Sequence, residues 1–154
     1  MADSVFSIEI RGEALKTLEK RGVEPFQETI KLTAFALEGN IKRKINENQS
    51  VGATGQLQNM WFADPKSWNG MDYVVWSPLS YAQGVDEGRG PHTPDFGSLK
   101  AWARVKGVED HVYAIYRSIQ KKGTKPHPYV QPAIEMTTHE VDGYFNQALA
   151  KAGF

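Results

Sequence analysis

Residues 119 to 135 read Ile-Gln-Lys-Lys-Gly-Thr-Lys-Pro-His-Pro-Tyr-Val-Gln-Pro-Ala-Ile-Glu. Gly123 admits backbone angles closed to other residues, while Pro126, Pro128 and Pro132 each fix φ and remove an N–H. Lys125, His127 and Gln131 are pushed toward extended conformations by the proline that follows each of them. Such a segment does not continue a helix and does not fit a central strand. The sequence therefore predicts a helix ending near Lys122, a stiff extended crossing, and a new helix with Pro132 in its first turn. Two uses of the stiffness stay open at this level: holding two packed elements at a set distance, or presenting backbone to a partner chain.

Working outward, the last helix runs from about Pro132 to Ala152, with Met136, Val141, Tyr144, Phe145, Ala148 and Leu149 at helical steps. On the other side of the crossing, Glu109 to Gln120 predicts a helix with Val112, Ala114, Ile115 and Ile119 facing inward. Before it, Ser98 caps a helix through Ala101 and Trp102 that Gly107 closes. Pro78 to Gly97 holds Gly84, Gly88, Gly90, Pro91 and Pro94 and reads as a long excursion, a length that signals function or mobility. Tyr73-Val74-Val75-Trp76, between Gly70 and Pro78, predicts a central strand. Met60, Trp61, Phe62 and Trp68 interleaved with polar residues predict a hairpin leading into it.

The strongest helical signal lies upstream, where Phe26, Ile30, Ala34, Leu37, Ile41 and Ile45 recur at steps of three and four after Pro25. Leu32, Phe35 and Ala36 widen the stripe. Lys31, Glu38, Lys42, Arg43 and Glu47 fill the rest and read as a solvated face, since acidic residues interrupt the basic ones. One side of this helix is expected to pack on a sheet, the other to meet solvent or a neighbour. Asn46 to Gly55 reads as a loop in which Thr54 caps a short turn over Gly55 to Asn59. At the N-terminal end, Ser4 to Ile10 predicts a short edge strand, and Gly12 to Lys20 a short helix ended by Gly22.

The chain has 154 residues with 18 basic and 18 acidic side chains, so one domain spanning 1–154 is expected and no global field attracts nucleic acid or an anionic membrane. Absence of cysteine removes disulfides and thiolate chemistry and fits folding in a reducing cytoplasm. No signal-peptide pattern or spanning apolar run is read, which predicts a soluble chain that is not secreted. Four tryptophans, six tyrosines and seven phenylalanines suit an interface as well as a core.

Chemistry is sparsely signalled. His92, Asp95, Asp110, His111, His127 and His139 are the candidates for a small metal-dependent hydrolase, but none has diagnostic spacing, and phosphate-loop and nucleophile-elbow patterns are missing. Asp86 and Glu87 read as an acidic rim that pairs with Lys or Arg of a neighbour, against an acid pair in a cleft. A DNA-binding module would rest on Lys100, Arg104, Lys106, Arg117, Lys121, Lys122 and Lys125 with Trp102, Tyr113 and Tyr116, a basic concentration broken by Glu109 and Asp110.

Val51 to Asn59, Tyr81 to Gly88 and Lys122 to Ala133, three blocks in this order, together resemble the small tail-component or head–tail joining proteins of long-tailed bacteriophages, the group that includes minor tail protein Z. Val51-Gly52-Ala53-Thr54-Gly55-Gln56-Leu57-Gln58-Asn59 is similar to the family's Pro-Val-Asp-Thr-Gly-Arg-Leu. Tyr81-Ala82-Gln83-Gly84-Val85-Asp86-Glu87-Gly88 is similar to its Tyr-Ala, two variable residues, apolar, acidic, Gly. Lys122 to Ala133 is similar to its Gly-Thr-Lys-Pro, variable, Pro-Phe, then Pro-Ala. Leu99 to Arg104 and Tyr113 to Ile119 match an insertion found in a subset of these proteins. Ala53 and Gln56 depart from the family's acidic and basic residues, and extra residues follow Gly88.

The resemblance implies an α+β subunit in which a small antiparallel sheet is packed against a long amphipathic helix, with additional C-terminal helices. It implies a structural virion protein without catalytic residue, metal or cofactor, forming a homo-oligomer, a hexameric ring, at the neck or the proximal end of the tail. The chain would be made in the host cytoplasm and reside in the virion. Expected partners are neighbouring connector or stopper proteins and the tail tube or terminator, with non-specific proximity to double-stranded DNA in a channel and no membrane. Thr54, Gly55, Leu57, Asp86, Glu87, Arg89, Lys122, Thr124 and Lys125 are the expected contact residues. Within this pattern internal spacing is favoured as the use of the stiff crossing and presentation to a partner stays open, with Tyr129 and Val130 dropping into the core as a strand-like clip and Gly123 to Lys125 turning at the surface.

Overall fold

A computed structural model describes residues 6–11, 24–48 and 54–153. The elements in order are β1 (Phe6–Arg11), α1 (Glu24–Glu47), α2 (Gln56–Asn59), β2 (Phe62–Pro65), β3 (Asp72–Ser77), α3 (Ala82–Glu87), α4 (Phe96–Val105), a 3-10 turn at Glu109–His111, α5 (Val112–Lys122) and α6 (Val130–Lys151). This is an α+β fold. The helix expected at Gly12 to Lys20, with Ser4, Val5 and the loop residues 49–53, lies outside the described residues.

The sheet is antiparallel in the order β1-β3-β2, so the strand rich in β-branched and aromatic residues is central and β1 is an edge, as the sequence predicts. Ile8 pairs with Val75 and Phe62 with Trp76. Alternation sends Tyr73, Val75 and Ser77 into the core and leaves Asp72, Val74 and Trp76 on the opposite face. There Trp76 donates its indole N–H to Asp64 at 2.7 Å and its ring lies 5.6 Å from that of Phe62, a cross-strand pair that fixes the hairpin's register.

Helix α1 buries Ile30, Ala34, Leu37, Ile41 and Ile45, the stripe expected from their spacing, against the sheet. Its second side is covered by α6. Asn40 donates to the Thr137 hydroxyl at 3.0 Å, the Phe26 and Phe145 rings lie 5.3 Å apart, and Lys151 reaches Glu28 at 2.9 Å. Glu38, read from the sequence as part of a solvated face, instead accepts the Ala63 N–H at 2.9 Å and pairs with Lys42 at 2.6 Å. It thereby satisfies a donor on edge strand β2, which would otherwise be open to another chain.

Three local expectations are corrected. The excursion from Pro78 to Gly97 contains a helix, α3, whose Ala82 and Asp86 form an inward i, i+4 pair that Gly84 between them disguises in the sequence. Asp95, rather than Ser98, caps α4: its carboxylate accepts the Ser98 N–H at 2.7 Å, and that bond holds the Asp95 carboxyl below its usual range. Helix α2 is preceded by Gly55 at φ 74°, with no side-chain cap from Thr54 or any other residue.

The α4–α5 pair is packed differently from the rest. Of the four α5 residues expected to face inward, only Val112 is fully buried, Ala114 is exposed, and Ile115 and Ile119 are half-buried. The reason is that α4 and α5 pack chiefly on each other and on the 3-10 turn, forming a hairpin. The Phe96 ring sits 5.1 Å from Tyr113 and 5.5 Å from Tyr116, and Arg104 pairs with Glu109 at 3.2 Å.

Candidate functional site

The proline-rich crossing lies across α3. Thr124 donates its N–H to the Arg89 carbonyl at 2.8 Å and accepts the Arg89 N–H at 3.2 Å, and His127 donates to the Val85 carbonyl at 2.9 Å. Pro126 and Pro128, lacking N–H groups, occupy positions where no such donor is required. Gly88 and Gly123 permit the approach. At Gly88 (φ 76°) an added Cβ would lie 2.9 Å from the Thr124 oxygen and 2.9 Å from the Pro126 nitrogen.

From this contact the chain enters α6 through Tyr129 and Val130. Tyr129 is fully buried, its ring 6.0 Å from that of the equally buried Trp61, and its hydroxyl donates to the Ala82 carbonyl at 2.7 Å. Burial pushes the Tyr129 phenol well above its ordinary range, with the Asp86 charge adding to the shift. The expected strand-like clip is corrected in form: Tyr129 is the N-cap residue of α6 and Val130 its first helical residue, although both side chains enter the core as expected.

Asp86 is the centre of this arrangement. One of its oxygens accepts the N–H of Tyr129 at 2.6 Å and of Val130 at 2.9 Å. A carboxylate from α3 thus caps a helix that starts more than forty residues later, and its charge faces the positive end of the α6 dipole. The reading of Asp86 as an acidic rim toward a neighbour is therefore corrected. Its side chain is buried and used inside the chain's own fold, whereas Glu87 is exposed and accepts from Gln83 at 3.0 Å. Asp86→Ala strands two buried donors, and a charge-assisted bond is worth about 1.5–3 kcal/mol, so urea unfolding should show a loss of roughly 3–4 kcal/mol. Asp86→Asn keeps an acceptor oxygen and should lose about half as much.

The first block joins the same unit. Leu57 of α2 is buried in the core, and the Tyr81 hydroxyl lies 3.3 Å from the Gln56 side-chain oxygen. Leu57, like Asp86, is thus buried within the fold rather than at its surface. The other expected contact residues differ: Thr54, Glu87, Arg89, Lys122 and Lys125 are exposed, and Gly55 and Thr124 are half-buried.

The candidate metal ligands do not converge. His92 bonds the Gly90 carbonyl through its ring at 2.8 Å, His111 and His139 are exposed on different helical segments, and Asp95 is a helix cap. Among the described residues no group of three or more His, Asp or Glu side chains is disposed to hold a metal ion. No helix among them is long and apolar enough to cross a membrane. The sequence gives little sign of the Asp86 cap, because the three-dimensional pairing of α3 with the start of α6 is what defines it. Compared with known proteins, the chain matches no family model, no curated protein and no solved structure.

Proposed function

We propose that this chain is a structural protein of a tailed-phage virion, assembling into a ring, sixfold in the first instance, at the neck or the proximal end of the tail, with DNA passing through its lumen. One observation carries the reading. The three sequence blocks that resemble the phage head–tail joining family are not scattered peptides: Gln56–Leu57, Tyr81–Gly88 and Gly123–Ala133 pack against one another around Trp61 and Tyr129. The resemblance is thus to one packed unit, in which Asp86, the glycines and the prolines each have a physical task. Exposed Thr54, Glu87, Arg89, Lys122 and Lys125 lie on or beside that unit, available to neighbouring subunits or layers. A ring of identical subunits requires each to present two different, complementary faces.

Light scattering on the purified chain over a range of concentrations, together with negative-stain imaging, is expected to show a closed ring. In virions fractionated into heads and tails, the protein should stay with one fraction. A monomer at all concentrations that is also missing from both fractions would end this reading.

A further inference from the structure

The α4–α5 hairpin and the residues just after it carry an excess of basic side chains. Between Phe96 and Lys125 stand Lys100, Arg104, Lys106, Arg117, Lys121, Lys122 and Lys125 against only Glu109 and Asp110. Because the whole chain is neutral, the remainder is acidic to the same extent. The two acids sit at the turn, where Glu109 is already engaged by Arg104 at 3.2 Å and Lys100 at 3.9 Å. Helix α5 itself has no acidic residue, and Arg117, Lys121, Lys122 and the following Lys125 form no ion pair among the described residues.

These cations share their surface with apolar groups. Tyr113, Arg117 and Lys121 follow one another at i, i+4 and i+8, a row about 12 Å long on the outer face of α5. Tyr113 is 69% exposed and Val105, on α4, is 59% exposed. The hairpin's fully buried side chains are Ala103 and Val112, two small contributions for twenty-seven residues of chain from Phe96 to Lys122. A cationic face with exposed ring and aliphatic surface suits a protein of opposite charge better than a bare phosphate backbone, which offers nothing apolar to cover.

The complementary face is on the same chain. Helix α6 buries Val130, Ala133, Thr137 and Ala148 toward α1. Its far side exposes Gln131, Glu135, Thr138, His139, Asp142 and Asn146. Glu135 and Asp142 are two turns apart on that side, about 10 Å, and neither is in an ion pair among the described residues. We propose that the outer face of α5 of one copy docks on the outer, acidic face of α6 of the next copy. This rests on the ring reading above and assigns the two unlike faces that such a ring needs. A head-to-tail contact of this kind propagates around a closed ring, and its opposite charges also set the register of approach.

The test is a charge exchange. Variant R117E/K121E reverses the α5 face, and variant E135K/D142K reverses the α6 face; all four side chains are exposed, and circular dichroism should match the parent. Each variant alone is expected to need at least tenfold more protein to assemble by light scattering. Mixed in equal amounts they should recover assembly, because every α5–α6 contact in an alternating ring then joins opposite charges. If the parent assembles and the reversals leave assembly unchanged, or if mixing does not restore it, the docking is overturned while the ring stands. If R117E/K121E assembles normally but loses retention of duplex DNA in a gel-shift assay, the α5 face is a DNA surface and the docking is overturned. A parent that stays monomeric at every concentration overturns the docking, and the ring reading falls with it where the protein is also missing from both virion fractions.

Discussion

Tyr129→Ala is expected to remove about 4 kcal/mol of stability, the loss usual for emptying a fully buried ring site. The side chain has no exposed surface, it meets Trp61 edge to face at 6.0 Å, and its hydroxyl satisfies the Ala82 carbonyl at 2.7 Å. Truncation therefore opens a cavity beside Trp61, leaves a carbonyl of α3 without its donor, and loosens the start of α6 at once. Tyr129→Phe separates these contributions. It keeps the ring and loses only the hydrogen bond, for about 1–2 kcal/mol. The hydroxyl also sets an alkaline limit. Because the folded phenol titrates above the unfolded one, its contribution is complete below the ordinary tyrosine range and is lost as pH rises through the raised value. Urea titrations of parent, Tyr129→Phe and Tyr129→Ala at neutral pH should rank in that order. Equal stability of the parent and the alanine variant would show that this corner does not organise the fold.

Gly123→Ala should be comparably damaging although it adds a single methyl group. Gly123 sits at φ 77° and ψ −161°, a region essentially reserved for glycine, where another residue costs about 1–3 kcal/mol in backbone strain alone. The new Cβ would also overlap the Arg89 carbonyl oxygen and lie 2.6 Å from the Gly90 carbonyl carbon. These are backbone atoms, so no side chain can swing aside. Relief requires separating residues 123 and 124 from residues 89 and 90, which breaks the paired bonds between Arg89 and Thr124. The expected loss is about 3 kcal/mol or more, with protease cleavage appearing first near the base of the hairpin. By contrast, Gly107 (φ 69°) has no atom within 4 Å of an added Cβ, so Gly107→Ala should cost only backbone strain of about 1 kcal/mol.

What the sequence discloses follows the range of the interactions. The α1 stripe, the central position of β3 and the break between α5 and α6 are local patterns, set by side-chain period or by proline geometry, and the structure has them where the spacing places them. The stiffness of residues 123–129 is legible for the same reason. The purpose of that stiffness is not, since it depends on Asp86 and Ala82 arriving from more than forty residues away. Glu38 is misread because a helix wheel shows only that it lies off the apolar stripe, and the Ala63 N–H it meets belongs to another element. The inward face expected on α5 fails for a related cause: amphipathic spacing marks a face that will be covered, without saying by how much. Here the cover is one short helix and a 3-10 turn, so Ala114 stays exposed and Ile115 and Ile119 are only half-buried.

The sheet order has a consequence in time. Strand β1 is synthesised first, yet its hydrogen-bonding partner is β3, with Ile10 set against Tyr73. Closing a loop of that length carries an entropy cost of roughly 3.7 kcal/mol by the logarithmic law, and it is incurred before any β1–β3 bond forms. On a ribosome, Ile8 and Ile10 therefore leave the tunnel long before their partners exist, and α1 and the β2–β3 hairpin assemble first from nearer contacts. The edge strand is the last piece of the sheet to be placed. Until then β3 offers an unpaired side, and crowded nascent chains are most exposed to mispairing during that interval.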